Sequence, residues 1–234
     1  MRIISAIIRK QILDTLKNKA VLIQFVMFPI LAIIMNFSVK IDGMPHNFFV
    51  NLFGTMYVGM APLIGMAAII SEEKEDNTLR ILMVSDVKPM QYLIGIGGYI
   101  WGICMLGVAV FCVVGKYTKI TAVCFIGIMS VGILCSVIIG AVIGVGSKNQ
   151  MAATSITVPV MILFSFLPMI SMFNDTIKNV ARLTYTEQIN LMINEIEKCK
   201  VTFENIFVIC INIVLALILF CYIYRKKGLF ENTN

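Results

Sequence analysis

The sequence has little charge over most of its length. Six stretches contain no Asp, Glu, Lys or Arg: 20–39, 43–71, 89–115, 120–147, 149–174 and 205–224. Together they hold 150 of the 234 residues, so all 32 charged side chains fall in the other 84 positions. A water-soluble domain of this size spreads charge over most of its elements, and this distribution excludes one. Histidine is scarcer still. His46 is alone, so a clustered metal site cannot form around histidine, and no HExxH pattern occurs. No GxxxxGK[ST] phosphate loop is present. The glycines between 95 and 107 sit inside a charge-free stretch with no lysine following, so they cannot cradle a nucleotide. No polar catalytic cluster assembles. The stretches contain no charged residue, which argues against an ion-coupled pump; energy for movement against a gradient must come from outside the chain.

What is present is apolar length. A bilayer-spanning helix needs about 20 mostly apolar residues, and each stretch reaches that. The runs are apolar on every side, unlike the alternating strands of about 10 residues in a barrel, and the mean hydropathy is +0.92. The expectation is an all-α membrane protein, one transmembrane domain over 1–234, with spans at 20–38, 48–70, 91–114, 120–146, 152–172 and 205–224. The first apolar run ends in Ile34-Met35-Asn36-Phe37 without a small-x-small cleavage pattern, so it is expected to stay in the mature protein. Six of the seven cysteines lie in spans without pairing or ligand spacing and read as small apolar residues; Cys199 lies in a polar connection. The formal charge of +6 fits basic flanks facing anionic lipids and requires no nucleic acid.

With the N-terminus inside, the inner segments hold twelve basic residues and the outer segments seven, which places both ends in the cytoplasm. Residues 1–19 read as a helix on the inner surface, with Ile4, Ile8 and Ile12 as an i,i+4 stripe; the alternative is a charged flank continuing span 1. The 72–88 loop opens on the densest charge cluster, Glu72, Glu73, Lys74, Glu75 and Asp76. It continues into Leu79, Ile81, Leu82, Met83 and Val84, more apolar surface than a solvated connector needs. The pairs Gly98/Gly102 and Gly140/Gly144 have small-xxx-small spacing and are expected to pack helices within the subunit. Pro159 and Pro168 predict bends in span 5, either as simple kinks or as a broken helix lining a cavity. In the outer segment 173–204, Ile189, Met192, Ile193 and Ile196 recur at helical spacing beside Glu187 and Glu195, predicting an amphipathic helix on the outer ends of the spans.

One segment carries a family signature. It runs Glu73-Lys74-Glu75-Asp76-Asn77-Thr78-Leu79-Arg80-Ile81-Leu82-Met83-Val84-Ser85-Asp86-Val87-Lys88-Pro89-Met90-Gln91-Tyr92-Leu93-Ile94-Gly95. It resembles the permeases of the ABC-2 type, in which an acidic-basic run is followed by Gly-Thr-Leu, a short apolar helix, Ser-Pro-Val, a Pro, and Tyr-Leu-x-Gly opening the third span. Asn77 stands where glycine is usual and Asp86 where proline is common; Asn tolerates the same backbone region as glycine. The motif covers some 23 residues, and the six spans, surface helix and outer helix suit the same plan.

The resemblance implies an exporter subunit in a bacterial cell membrane. The 72–88 loop would rest in a groove of a separate cytoplasmic ABC ATPase, present in two copies. Glu72, Glu73, Lys74, Glu75 and Arg80 would make polar contacts, and Leu79, Leu82 and Met83 apolar ones. ATP and Mg would be bound by that partner, with no cofactor, metal or catalytic residue in this chain. A second permease, identical or homologous, would complete a path lined by spans 1, 2 and 5. The cargo implied is hydrophobic or amphipathic, foremost peptides of the antimicrobial kind. Hydrophobic drugs or lipids are the alternative cargo, and a non-transporting immunity or sensor protein the alternative role.

Overall fold

The computed structural model describes residues 2–39, 43, 45, 47–84, 87–196 and 201–227. His46, Asp86, Cys199, the tail 228–234 and the side chain of Met83 lie outside the described residues. Ten helices are described: α1 (Arg2–Lys17), α2 (Lys19–Ser38), α3 (Phe48–Glu75), α4 (Thr78–Val84), α5 (Pro89–Val114), α6 (Lys119–Gly146), α7 (Gln150–Ser171), α8 (Asp175–Ala181), α9 (Tyr185–Asn194) and α10 (Phe203–Lys227). Six of them, α2, α3, α5, α6, α7 and α10, are long and apolar enough to cross a membrane.

α3 is the axis. Of its most apolar window 78% is buried, against 22% for α2 and for α7 and 11% for α10. α2, α5, α6 and α7 surround it, α10 leans on α6, and α1 lies against α5. In hydrocarbon, helices gain little from apolar burial, so close backbone approach decides the packing. A Cβ added at Gly140 would stand 2.5 Å from Leu63 O, and one at Gly144 2.8 Å from Ile70 Cβ; these two residues let α6 lie flat on α3. Gly59 does the same for α7, whose Phe164 and Ser165 backbone passes within 2.9–3.0 Å of the missing Cβ.

The other glycine pair behaves differently from expectation. A Cβ at Gly98 or Gly102 would meet nothing within 4 Å, so neither packs helices inside this chain. Gly98 instead borders an apolar groove of about 370 Å³ between α5, α6 and α10. The tight contacts of α5 fall to Gly95, under Ile7 of α1, and Gly107, under the Tyr57 ring. Equal spacing on two helices gave no hint of which pair has a neighbour.

Proline leaves a carbonyl without its helical partner, and the fold answers this in α3. Pro62 has no N–H for Val58 O, and the Ser136 hydroxyl of α6 donates to that carbonyl at 2.5 Å. The Ser136 proton being used, the Tyr185 hydroxyl of α9, 2.6 Å away, donates to Ser136 Oγ. α7 runs through Pro159 and Pro168 as one helix, so of the two readings for span 5 an interruption is not what forms.

Two amphipathic helices bury polar side chains beside apolar ones. In α1 the buried stripe is Ile7, Gln11 and Thr15, while Ile12 is 44% exposed. Ile7 wedges over Gly95, the Tyr99 and Thr15 hydroxyls bond, and Gln11 reaches α3. Polar bonds and a glycine notch hold the helix to the bundle, with Ile8 half-buried against the core. In α9, Ile189 and Ile193 are buried as their spacing predicts, but Thr186, Glu187, Gln188 and Asn190 are buried with them. The helix sinks among α3, α6, α7 and α10 and keeps no polar face at its start.

Candidate functional site

Two polar assemblies stand out, one at the end of the bundle that carries α1 and α4, the other at the end that carries α9.

At the first, the charge cluster that closes α3 is distributed among three neighbours. Glu73 is 6% exposed and accepts from Lys10 Nζ at 2.5 Å and Gln11 Nε2 at 2.7 Å, both from α1. Lys74 Nζ donates to the Val145 and Ser147 carbonyls at 2.8 Å each, where α6 ends. The last carbonyls of a helix lack partners and carry its negative pole, so an ammonium group is favoured there. Glu75 Oε2 accepts the Gln150 N–H at 2.9 Å, at the positive N-terminal pole of α7. Three consecutive charges therefore lock α3 to α1, α6 and α7. Glu72 borders a polar cleft of about 340 Å³ between α1 and α3, with Asp14, Lys17 and Asp76 on its walls.

Beyond the cluster the chain reverses at Asn77, whose φ of +57° is the left-handed conformation that asparagine tolerates better than most residues. Its carbonyl accepts the Arg80 and Ile81 N–H groups at 3.1 and 3.3 Å and starts α4. α4 buries Leu79 (1% exposed), half-buries Leu82, and turns Arg80, Ile81 (65%) and Val84 (83%) outward. Pro89 then opens α5, and the Gln91 side chain accepts the Lys88 N–H at 3.2 Å.

The residues expected to meet a partner are thus sorted into two sets. Glu73, Lys74, Glu75 and Leu79 are engaged inside the chain, whereas Arg80 is outward. Ile81 and Val84, to which the resemblance assigned no contact, are the most exposed apolar side chains of α4 among the described residues. Local pattern could not separate the sets, because what buries Glu73 is α1, some 60 residues earlier.

The second assembly was not foreseen. Its hydrogen bonds run in one direction through three parts of the chain. Tyr117 Oη, between α5 and α6, donates to Asn51 Oδ1 (2.7 Å). Asn51 Nδ2 of α3 donates to Asn194 Oδ1 (2.9 Å), Asn194 Nδ2 to Asn190 Oδ1 (3.0 Å), and Asn190 Nδ2 to Glu187 Oε2 (3.4 Å). Ser171, at the end of α7, meets both carboxyl oxygens of Glu187 at 3.1 Å. Glu187 is 2% exposed. Burial pushes its carboxyl above the ordinary 4.5, against the opposite pull of the Ser171 and Asn190 bonds and the Lys178 and Arg182 charges. The only sequence signal was a set of amides, Asn51, Asn190 and Asn194, among apolar residues. Among the described residues no three His, Cys, Asp or Glu side chains gather as a metal site.

Comparison with known proteins agrees with this architecture. Residues 3–223 match the family described as ABC-2 family transporter protein, nearly the whole chain. The chain belongs to that family and is a multi-span permease of the ABC exporter type. A comparison with curated proteins returns no match.

Proposed function

We propose that this chain is the membrane half of an ATP-driven exporter for hydrophobic or amphipathic cargo, foremost peptides, and that it is driven by a separate cytoplasmic ABC ATPase. One observation carries the reading. α4 is a short helix anchored from beneath by Leu79 and follows a charge cluster that binds α1, α6 and α7, yet it leaves Ile81 and Val84 facing out beside Arg80. A short apolar edge on a rigid base suits a groove in a partner that pushes on it. In this proposal Glu73, Lys74 and Glu75 transmit rather than touch. Motion of α4 reaches α1, α6 and α7 through their bonds. Two ATPase copies would bind ATP and Mg, and a second permease would face this one. Both chain ends would be cytoplasmic, in a bacterial cell membrane.

The path would lie along α2, α3 and α7, the proposed spans 1, 2 and 5. α2 and α7 flank α3 and turn Ile30 and Ile34, and Ile162 and Phe166, outward. Such a wall favours apolar cargo, and hydrophobic drugs or lipids would meet the same chemistry. The test is purification of the full chain with its ATPase, followed by Ile81→Asp with Val84→Asp. The proposal expects the helical content and yield of the wild type with loss of ATPase association and of cargo-stimulated hydrolysis. An unchanged complex with unchanged stimulation would overturn the docking role of α4, and recovery of the chain without any ATPase would overturn the exporter reading.

A further inference from the structure

The Ser171 hydroxyl has one hydrogen and two claims on it. It lies 2.8 Å from Pro168 O and 3.1 Å from both oxygens of Glu187. Pro168 O has lost its usual helical partner, since α7 stops at Ser171 and the Met172 N–H turns back to Met169 O at 3.3 Å. If Glu187 were ionised, Ser171 would have to give its hydrogen to the carboxylate and leave the Pro168 carbonyl buried and unpaired, a cost of about 1–3 kcal/mol. With a proton on Glu187 every group is satisfied. The carboxyl O–H donates to Ser171 Oγ, Ser171 donates to Pro168 O, and the remaining carboxyl oxygen accepts from Asn190. The amide ladder ends on that oxygen from the other side, so the carboxyl is the one member of the network whose protonation state is not dictated by a fixed donor.

We propose that Glu187 is a proton-binding site that sets the end of α7: with the proton bound, Ser171 caps Pro168 O, and when it leaves, Ser171 turns its hydrogen to the carboxylate and the last turn of α7 loosens. The proton is the ligand, and α7 is the element that moves. The surroundings agree. α7 has no charged side chain, and α3 faces the network with Asn51 and Thr55. α6 offers Ser136 and Cys135, and α10 carries Glu204 at its start and Cys210 further on. α9 itself adds Tyr185, which is hydrogen-bonded to Ser136, and ends beside Glu195. The cations that act on Glu187 are Lys178 of α8 and Arg182 just after it, and neither forms an ion pair with it within 4.0 Å among the described residues. Burial raises the carboxyl's affinity for its proton, and those two charges oppose it.

The sign follows. A carboxyl whose proton is held more tightly in the folded state adds stability that is full below its ordinary value and is lost as pH rises through the higher folded value. Alkaline conditions should therefore loosen the last turn of α7.

The experiment uses the full chain in lipid nanodiscs. Infrared difference spectroscopy should show a protonated-carboxyl C=O band on the acid side of a pH titration that disappears as pH rises, with its midpoint above the ordinary carboxyl value, and that is missing in Glu187→Gln. Hydrogen exchange, corrected for its intrinsic pH dependence, should rise about ten-fold over 169–190 in the wild type across the same range, a shift of about 1.4 kcal/mol. It should stay flat in Glu187→Gln, whose amide is permanently neutral. A wild-type carboxyl band whose midpoint is not above the ordinary carboxyl value would overturn the proposal without any variant. So would equal pH dependence of exchange in the wild type and Glu187→Gln. Should Glu187→Gln fail to fold, Glu187→Asp serves in its place: loss of the band's wild-type pH midpoint is expected, and an unmoved midpoint counts against the proposal. None of these readouts requires the ATPase, so this proposal can fail while the exporter reading stands.

Discussion

Two buried glutamates, one at each end of the bundle, are held in opposite ways. Glu73 has an ammonium group and an amide from α1 within 2.7 Å. Glu187 has only neutral donors, Ser171 and Asn190. A buried charge is tolerable when it is paired; a buried carboxyl without a cation lowers its cost by keeping a proton. The α1/α4 end is therefore a rigid, charge-locked joint, suited to carrying force. The α9 end is a neutral network whose state depends on one proton. Rigidity and responsiveness are separated along α3, which reaches both.

The comparison can be broken by substitution. Lys10→Met should have the largest effect, about 3 kcal/mol of lost stability in thermal unfolding of the solubilised protein, because it leaves Glu73 buried and charged with a single amide. Lys10 is about one-third exposed, which keeps the figure at the low end of that class. Next comes Ser136→Ala, at about 2 kcal/mol, because it strands both the Val58 carbonyl that Pro62 freed and the Tyr185 hydroxyl. Glu73→Gln should follow at about 1.5 kcal/mol, the worth of a hydrogen bond to a charged group. Smallest is Glu187→Gln, within about 0.5 kcal/mol at low pH, since it replaces one neutral group by another. Its signature is different: the wild type should lose stability as pH rises above the ordinary carboxyl value and the variant should not. If Glu187→Gln costs as much as Glu73→Gln, the two ends are alike and the contrast fails.

Much of this was readable from residues, and the boundary has a physical cause. The six long helices follow from where charge is missing, and the αL turn from Asn77 standing in a glycine position. Pro89 marked the start of α5. The glycine pairs show the limit: Gly140/Gly144 and Gly98/Gly102 have the same spacing, yet only the first has a helix against it. Glu72, Glu73, Lys74 and Glu75 were expected to meet a partner, as the family resemblance implied. Three of them turned out to face helix ends and a lysine of the same chain. In α9, apolar residues at helical spacing predicted an amphipathic helix, and insertion among four spans buried Thr186, Glu187, Gln188 and Asn190 as well.

The sequence by itself determined that this is a six-span membrane protein with no charge in its spans. Hydrocarbon imposes that condition on every residue locally, so composition records it. Only the tertiary structure decided which charges meet. The partners are far apart in the chain, Lys10 and Glu73 by 63 residues and Asn51 and Asn194 by 143. Whether a buried carboxyl finds a cation or keeps a proton depends on which helices become neighbours, and no local pattern holds that information.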